Sequence, residues 1–354
     1  MTAPGHRTQL DLPAIYRAAD YDDRVVREMV RARRWVRVWR GCYVDAGWLA
    51  RSPERRSVPP YRGAGQLIPT ARPSTRGAHP DPRLELPANR RRLALAQVAS
   101  VAATSARGEE PVFTHTTAAL LWGLPLWRVP ATVHVYARHS RGRDASRLKT
   151  AHVVALEPHD VVRHRGVLVT SLERTMLDVA RTEPVTDALV VADACLRHGA
   201  DGDAVRELAA GHRGRRGIAR AREVLGLADG GAESPWESFT RLHVLAAGLP
   251  GPRLQIEVST SRGNYRADMG WDAWRQLIEF DGKVKYRELA NGDPDAVLMA
   301  EKRRQDALVE SGWKILRLTS ADFRDVEGLH HRLRALAPTA ERAGLTPRPH
   351  LLLR

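Results

Sequence analysis

Between residues 51 and 92 the chain carries eight prolines among many arginines, serines and glycines, with no hydrophobic period. A stretch that long and irregular has no place inside one packed core, so it reads as a linker or disordered insertion that divides the chain. A length of 354 residues points the same way, toward two or three cores. Apolar residues make up 43% of the sequence, enough for those cores to form. The expected fold class is α/β and multidomain. Its segments are residues 1–50, the linker 51–92, an α+β middle domain 93–228, a C-terminal unit 229–336 and a basic tail 337–354.

The formal charge of +15 draws such a chain toward polyanions, of which nucleic acid is the commonest. Charge does not distinguish DNA from RNA. Only Lys149, Lys283, Lys285, Lys302 and Lys314 are lysines; every other cation is arginine. Three of the five fall within residues 283–302, and a compact ammonium where arginine is the rule marks a candidate functional stretch. No run of 18 apolar residues occurs, and the start, MTAPGHRTQLDLP, lacks the apolar stretch of a signal peptide. No membrane association and a cytoplasmic location are expected; the oligomeric state is open. Cys42 and Cys195 are too few and too far apart for a disulfide framework or a cysteine zinc site. No Walker A loop is present, which argues against ATP-driven translocation by this chain.

In the first segment, Asp20-Tyr-Asp-Asp23 can cap a helix running through Val25, Val26, Met29 and Val30. Trp35-Val-Arg-Val-Trp39 then alternates, Arg40-Gly41 turns, and Cys42-Tyr-Val44 returns. Helix followed by basic hairpin is the layout of a winged helix. Arg31, Arg33, Arg34, Arg37 and Arg40, interleaved with Trp35 and Trp39, form a candidate DNA-binding surface. The segment Arg33 to Tyr43 resembles the N-terminal winged-helix domain of AbiEi-type antitoxins, a likeness that implies DNA binding of the transcriptional-repressor kind. The first helix of that domain, over Ala14–Ala19, is only weakly matched.

The middle domain reads as a helix from Arg91 to about Ser105, a second one over Thr114 to Trp122 stopped by Gly123, and strands at Thr132–Tyr136, His152–Leu156 and Val167–Thr170. Thr170-Ser-Leu-Glu173 has the form of a capping box opening a helix over Arg174–Arg181, and another helix spans about Asp187–His198. The His115–Gly123 and Thr170–Asp178 stretches also look like the body of AbiEi-type proteins. His115, Arg174 and Asp178 have no spacing that supports a catalytic triad, and structural roles are expected.

The C-terminal unit opens on Ser234-Pro-Trp-Glu237, with Ser as N-cap, Pro at the first helical position and Glu two further on. Strands Arg253–Val258, Tyr265–Trp271 and Gln276–Asp281 follow, then a helix from Pro294 to Ser311 and a strand Trp313–Leu318. Phosphodiester hydrolysis needs charge neutralisation at the phosphoryl oxygens and an activated water, which Mg²⁺ held by a few carboxylates supplies. Glu279 and Asp281, two apart on a strand, face one side; Asp268 on the neighbouring strand can reach it, and Glu237 can add an outer carboxylate. Asp268, Glu279 and Asp281 are the expected ligands of Mg²⁺ or Mn²⁺.

Glu233-Ser-Pro-Trp-Glu237, Ala267-Asp-Met-Gly-Trp271, Ile278-Glu-Phe-Asp-Gly282, Glu301-Lys-Arg-Arg-Gln-Asp306 and Gly312-Trp-Lys-Ile-Leu-Arg317 occur in that order. Together they resemble the domain of very-short-patch (Vsr) repair endonucleases in the PD-(D/E)XK superfamily. The resemblance implies a restriction-endonuclease-like α/β core with a mixed sheet. It makes Asp268 the metal-bridging aspartate, Glu279 the (D/E) position and Glu237 the helix-borne glutamate. Asp281 stands where the motif's lysine belongs, so Lys283, in Asp281-Gly-Lys283, and Lys302 are the alternative catalytic lysines. Arg303 and Arg304 are candidates to line a DNA groove. The expected activity is Mg²⁺-dependent DNA cleavage; the alternative is a non-catalytic DNA-binding regulator that keeps an inactive nuclease fold.

Overall fold

The computed structural model describes residues 12–39, 41–50, 87–105, 110–138, 148–281 and 294–352. Arg40, Lys283 and nearly all of the 51–92 segment lie outside the described residues. The protein is α/β and multidomain, with mixed sheets and twelve α-helices among the described residues. It resolves into two compact units, residues 1–182 with 200–218, and residues 183–199 with 219–354. This division cuts across the 228/229 boundary read from the sequence, because the 185–197 helix packs with the C-terminal unit.

In the first unit, α1 (Asp23–Arg31) starts where Asp22 accepts the Arg24 N–H at 2.7 Å, and the chain then passes Arg33 in the left-handed region. A hairpin follows, β2 (Trp35–Trp39) and β3 (Cys42–Asp45), to which β1 (Tyr16–Arg17) adds a third strand in the order β1-β3-β2. The alternation of β2 turns Val36 and Val38 into a core with Cys42, Val44, Leu49 of α2 (Ala46–Ala50) and Ala96 of α3 (Pro87–Thr104).

The same unit holds a five-stranded mixed sheet in the order β6-β5-β4-β8-β7. Its strands are β4 (Val112–Phe113), β5 (Val133–Ala137), β6 (Lys149–Val153), β7 (Val161–His164) and β8 (Val167–Thr170). α4 (His115–Trp122) ends at Gly123, whose φ of +83° is the left-handed C-cap conformation that a Cβ would disfavour. α5 (Leu172–Thr182) takes its cap one residue later than the Thr170 reading: Ser171 Oγ accepts the Arg174 N–H at 3.2 Å. The helix is anchored by the fully buried Arg174, paired with Asp160 at 2.8 Å and Asp178 at 3.0 Å. These two ion pairs give Arg174 and Asp178 structural roles.

The second unit carries a four-stranded sheet in the order β12-β11-β10-β9. β9 (Arg253–Thr260), β10 (Gly263–Trp271) and β11 (Gln276–Phe280) form an antiparallel meander, and β12 (Lys314–Leu318) joins β11 in parallel. Between β11 and β12 runs the helix Pro294–Glu310. Ile256, Val258, Ala267, Leu277, Leu308 and Trp313 make the core beneath that helix. α9 (Pro235–Ala246), which follows α7 (Gly202–Gly211) and α8 (Ile218–Leu227) in the chain, is also tied to α6 (Val185–Arg197), where Arg241 meets the buried carboxylate of Asp193 at 2.7 Å. The basic tail is not free. Arg348 donates its N–H to Ala246 O at 2.8 Å and Leu351 is buried, so burial of an apolar side chain holds residues that charge alone marks as a tail.

Candidate active site

Ser234 Oγ accepts the Glu237 N–H at 3.2 Å, and Glu237 Oε2 accepts the Glu233 N–H at 2.8 Å, closing a reciprocal cap at the start of α9. The neighbouring Trp236 stacks on Phe280 at 4.5 Å between ring centroids, which fixes the start of α9 against the end of β11. Capping alone does not account for Glu237, however. Its Oε2 also accepts from Gln255 Nε2 at 2.8 Å. Gln255 lies within β9 yet adopts φ +51°, a left-handed backbone that costs energy for any residue with a Cβ.

Burial pushes the Glu237 carboxyl up to about 7, and the nearby charge of Asp268 adds to the effect. Asp268 sits where the β10–β11 ladder opens. Regular pairing ends at Met269 and Ile278, and beyond it the Asp268 carboxylate, rather than a backbone carbonyl, accepts the Phe280 N–H at 2.8 Å. Two carboxyls from α9 and β10 thus share one partly buried locality with an amide from β9.

Glu279 has a different environment. Leu277, two residues earlier, faces the core under the helix Pro294–Glu310, and Glu279 on that side meets Arg304 of the same helix. Arg304 reaches both Glu279 oxygens, the second at 3.2 Å, and Arg317 of β12 stands 3.5 Å away. Glu301 completes the cluster, paired with both arginines. Arg304 is therefore turned inward onto Glu279 rather than out to a groove, while Arg303 is exposed.

Asp281 is partly exposed and continues the parallel ladder, donating its N–H to Leu318 O at 2.7 Å. Lys302 is exposed two residues from Arg304, and helical residues two apart do not share a face, so it does not join the Glu279 cluster. In the first unit, Arg31, Arg33, Arg34 and Arg37 are all exposed. Trp35 is buried and stacked on Tyr16 at 4.5 Å, so it offers no free face beside the arginines, while Trp39 is half-buried against the hairpin core. Gln255 belongs to no motif, and Glu301 and Arg317 stand at the ends of two motif blocks; the roles of all three depend on strand and helix neighbours distant in the chain.

The chain matches no known protein family. Its relatives include the uncharacterized proteins MT2308 and Rv2248 of Mycobacterium tuberculosis strains CDC 1551 / Oshkosh and ATCC 25618 / H37Rv. Each is 35% identical over 168 residues, which is 47% of this chain and 60% of the relative. The chain thus spans less than two thirds of those relatives' length. Among solved structures, the RV2827C protein of Mycobacterium tuberculosis aligns over 70% of this chain and 80% of its own, at 15% identity and a TM-score of 0.34. That likeness is too slight to bear on fold or function.

Proposed function

We propose that this protein cleaves nucleic acid phosphodiesters through a divalent cation at Glu237 and Asp268, on a C-terminal core of the restriction-endonuclease-like kind. The observation that carries the reading is the Glu237 carboxyl, pushed up to about 7 beside Asp268 where the sheet opens. Two acids held together beside the strained Gln255 backbone are costly unless the site uses them, and a perturbed carboxyl of this kind marks a candidate reactive site. The order helix, three antiparallel strands, helix, parallel strand supports the likeness to very-short-patch endonucleases.

The donor set, the carboxylate oxygens of Asp268 and Glu237, fits a hard cation. When bound, Mg²⁺ or Mn²⁺ would neutralise charge on the phosphoryl group and activate water. Asp268 and Glu237 are the residues to hold it, Glu237 through Oε1, because its Oε2 already accepts two hydrogen bonds. The exposed arginines of the α1–β2 segment, in the winged-helix layout, would bind the phosphate backbone.

One observation favours a second reading, a DNA-binding regulator of antitoxin type without catalysis: Arg304 and Arg317 already neutralise Glu279, the expected (D/E) position. Incubating the protein with supercoiled plasmid, mismatched duplex and structured RNA, in Mg²⁺, Mn²⁺ or EDTA, separates the two. Metal-dependent strand breaks lost in Asp268→Asn support the first. Salt-sensitive binding with every substrate left intact supports the second.

A further inference from the structure

Far along the chain from the acidic site, the first unit gathers three histidines. His115 opens α4, His134 lies on β5 and His152 on the adjacent β6. One ring nitrogen from each lies within 4.8 Å of the other two. His134 Nδ1 and His152 Nε2 are already 2.9 Å apart, sharing a single proton, and the His115 ring lies over His152 at 3.6 Å between centroids. We propose that His115, His134 and His152 form a binding site for one divalent cation of the zinc class, with three imidazole ligands and a fourth position open to water or an exogenous ligand.

Several features build the site. β5 and β6 run in parallel register, Tyr136 opposite His152 and His134 opposite Thr150, so the two strand histidines sit on a diagonal two residues apart. His115 Nδ1 is 2.9 Å from Thr114 Oγ1; with that nitrogen protonated and donating, its Nε2 lone pair is directed by a partner behind the ring. A tetrahedral zinc ion with nitrogen ligands at about 2.0–2.1 Å places those nitrogens roughly 3.3 Å apart. His134 and His152 therefore need to separate by only a few tenths of an ångström as the cation takes the place of their shared proton. The His115 ring must rotate out of its stack.

His115 also holds φ +52°, a left-handed backbone in a residue with a Cβ, and such outliers collect where a side chain must be aimed. Packing alone does not call for three imidazoles here, because apolar side chains would fill the same space without burying polar nitrogens. Among the described residues, the charges that act on His115 are those of His152, His134, Arg174 and Arg181, none of them a carboxylate. Nitrogen donors without oxygen suit zinc, cobalt or nickel and disfavour Mg²⁺. This cation is thus separate from the one proposed at Asp268.

The test uses the full chain without a histidine tag, stripped with chelator and titrated calorimetrically with Zn²⁺ and, separately, with Co²⁺ as a visible probe. The expected result is one equivalent of Zn²⁺ per chain and the intense visible bands of four-coordinate Co²⁺. His134→Ala and His152→Ala should each weaken Zn²⁺ binding by more than about 100-fold, with circular dichroism reporting whether they fold. Should either misfold, His115→Gln is the second variant, and the wild-type titration stands by itself. No Zn²⁺ or Co²⁺ uptake by folded wild type overturns the proposal. Uptake unchanged in the folded histidine variants, or lost in Asp268→Asn, overturns it equally.

Discussion

Replacing Glu237 with Gln tests the physical origin of the acidic site. The carboxyl is pushed from the usual 4.5 up to about 7, chiefly by burial. At about 1.4 kcal/mol per pH unit, that shift corresponds to roughly 3 kcal/mol. The raised value means that folded protein keeps this proton between about pH 4.5 and 7 after the unfolded chain has lost it. Stability contributed by the group therefore falls as pH rises through that window, and above pH 7 the folded state bears the full cost of a buried anion. Glutamine keeps an acceptor for the Glu233 N–H but carries no charge. Glu237→Gln should thus be more stable than wild type by about 2–3 kcal/mol at pH 8, and close to it at pH 5. Urea denaturation of both proteins at the two pH values, followed by tryptophan fluorescence and circular dichroism, measures the difference. Parallel pH profiles for wild type and variant would refute the reasoning, because they would mean that Glu237 ionises in the folded state as freely as in the unfolded one.

Three further substitutions probe the packing that positions the site. Arg241→Met leaves the Asp193 carboxylate buried without its 2.7 Å partner and should cost about 3–5 kcal/mol, most of it recovered in the double variant with Asp193→Leu. Denaturation midpoints decide this, and a double variant no better than the single would count against it. Leu351→Ala should lower stability by about 2–4 kcal/mol if the C-terminal residues are packed rather than a tail, and a neutral result would contradict their burial. Gly270→Ala would bring a Cβ to 2.1 Å from Gln276 O, so β10 and β11 cannot keep their register. A loss of more than about 2 kcal/mol, or insoluble protein, is expected; unchanged thermal unfolding would show that the strands adjust freely.

Local chemistry made much of both units legible. Ser234, Pro235 and Glu237 mark the start of α9 because caps are made within a few residues, and Gly123 marks the end of α4 for the same reason. The strands from Arg253 to Phe280 follow from alternation and turn residues. What escaped the sequence depends on distant pairing. β4 has two residues, too few for any period, and gains its place only from β5 and β8. Trp35 reads equally as a DNA-facing or a core aromatic until Tyr16 stacks on it. Arg304 reads as a groove-lining cation until helix and sheet bring it to Glu279. His115, His134 and His152 have no motif spacing at all; parallel pairing of β5 with β6 brings the strand pair together.

The proposed cation site is tested most directly by titrating the Glu237 carboxyl itself, by carbon-13 NMR of labelled glutamate with Glu237→Gln for assignment, with and without saturating Mg²⁺. Without the ion, the carboxyl should titrate near the value of about 7 set by burial and Asp268. With Mg²⁺ it should titrate below the ordinary glutamate range, because a divalent charge beside it stabilises the anion, and Asp268→Asn should abolish that response. A Glu237 titration that Mg²⁺ leaves unmoved would contradict the site, whatever the protein does to DNA.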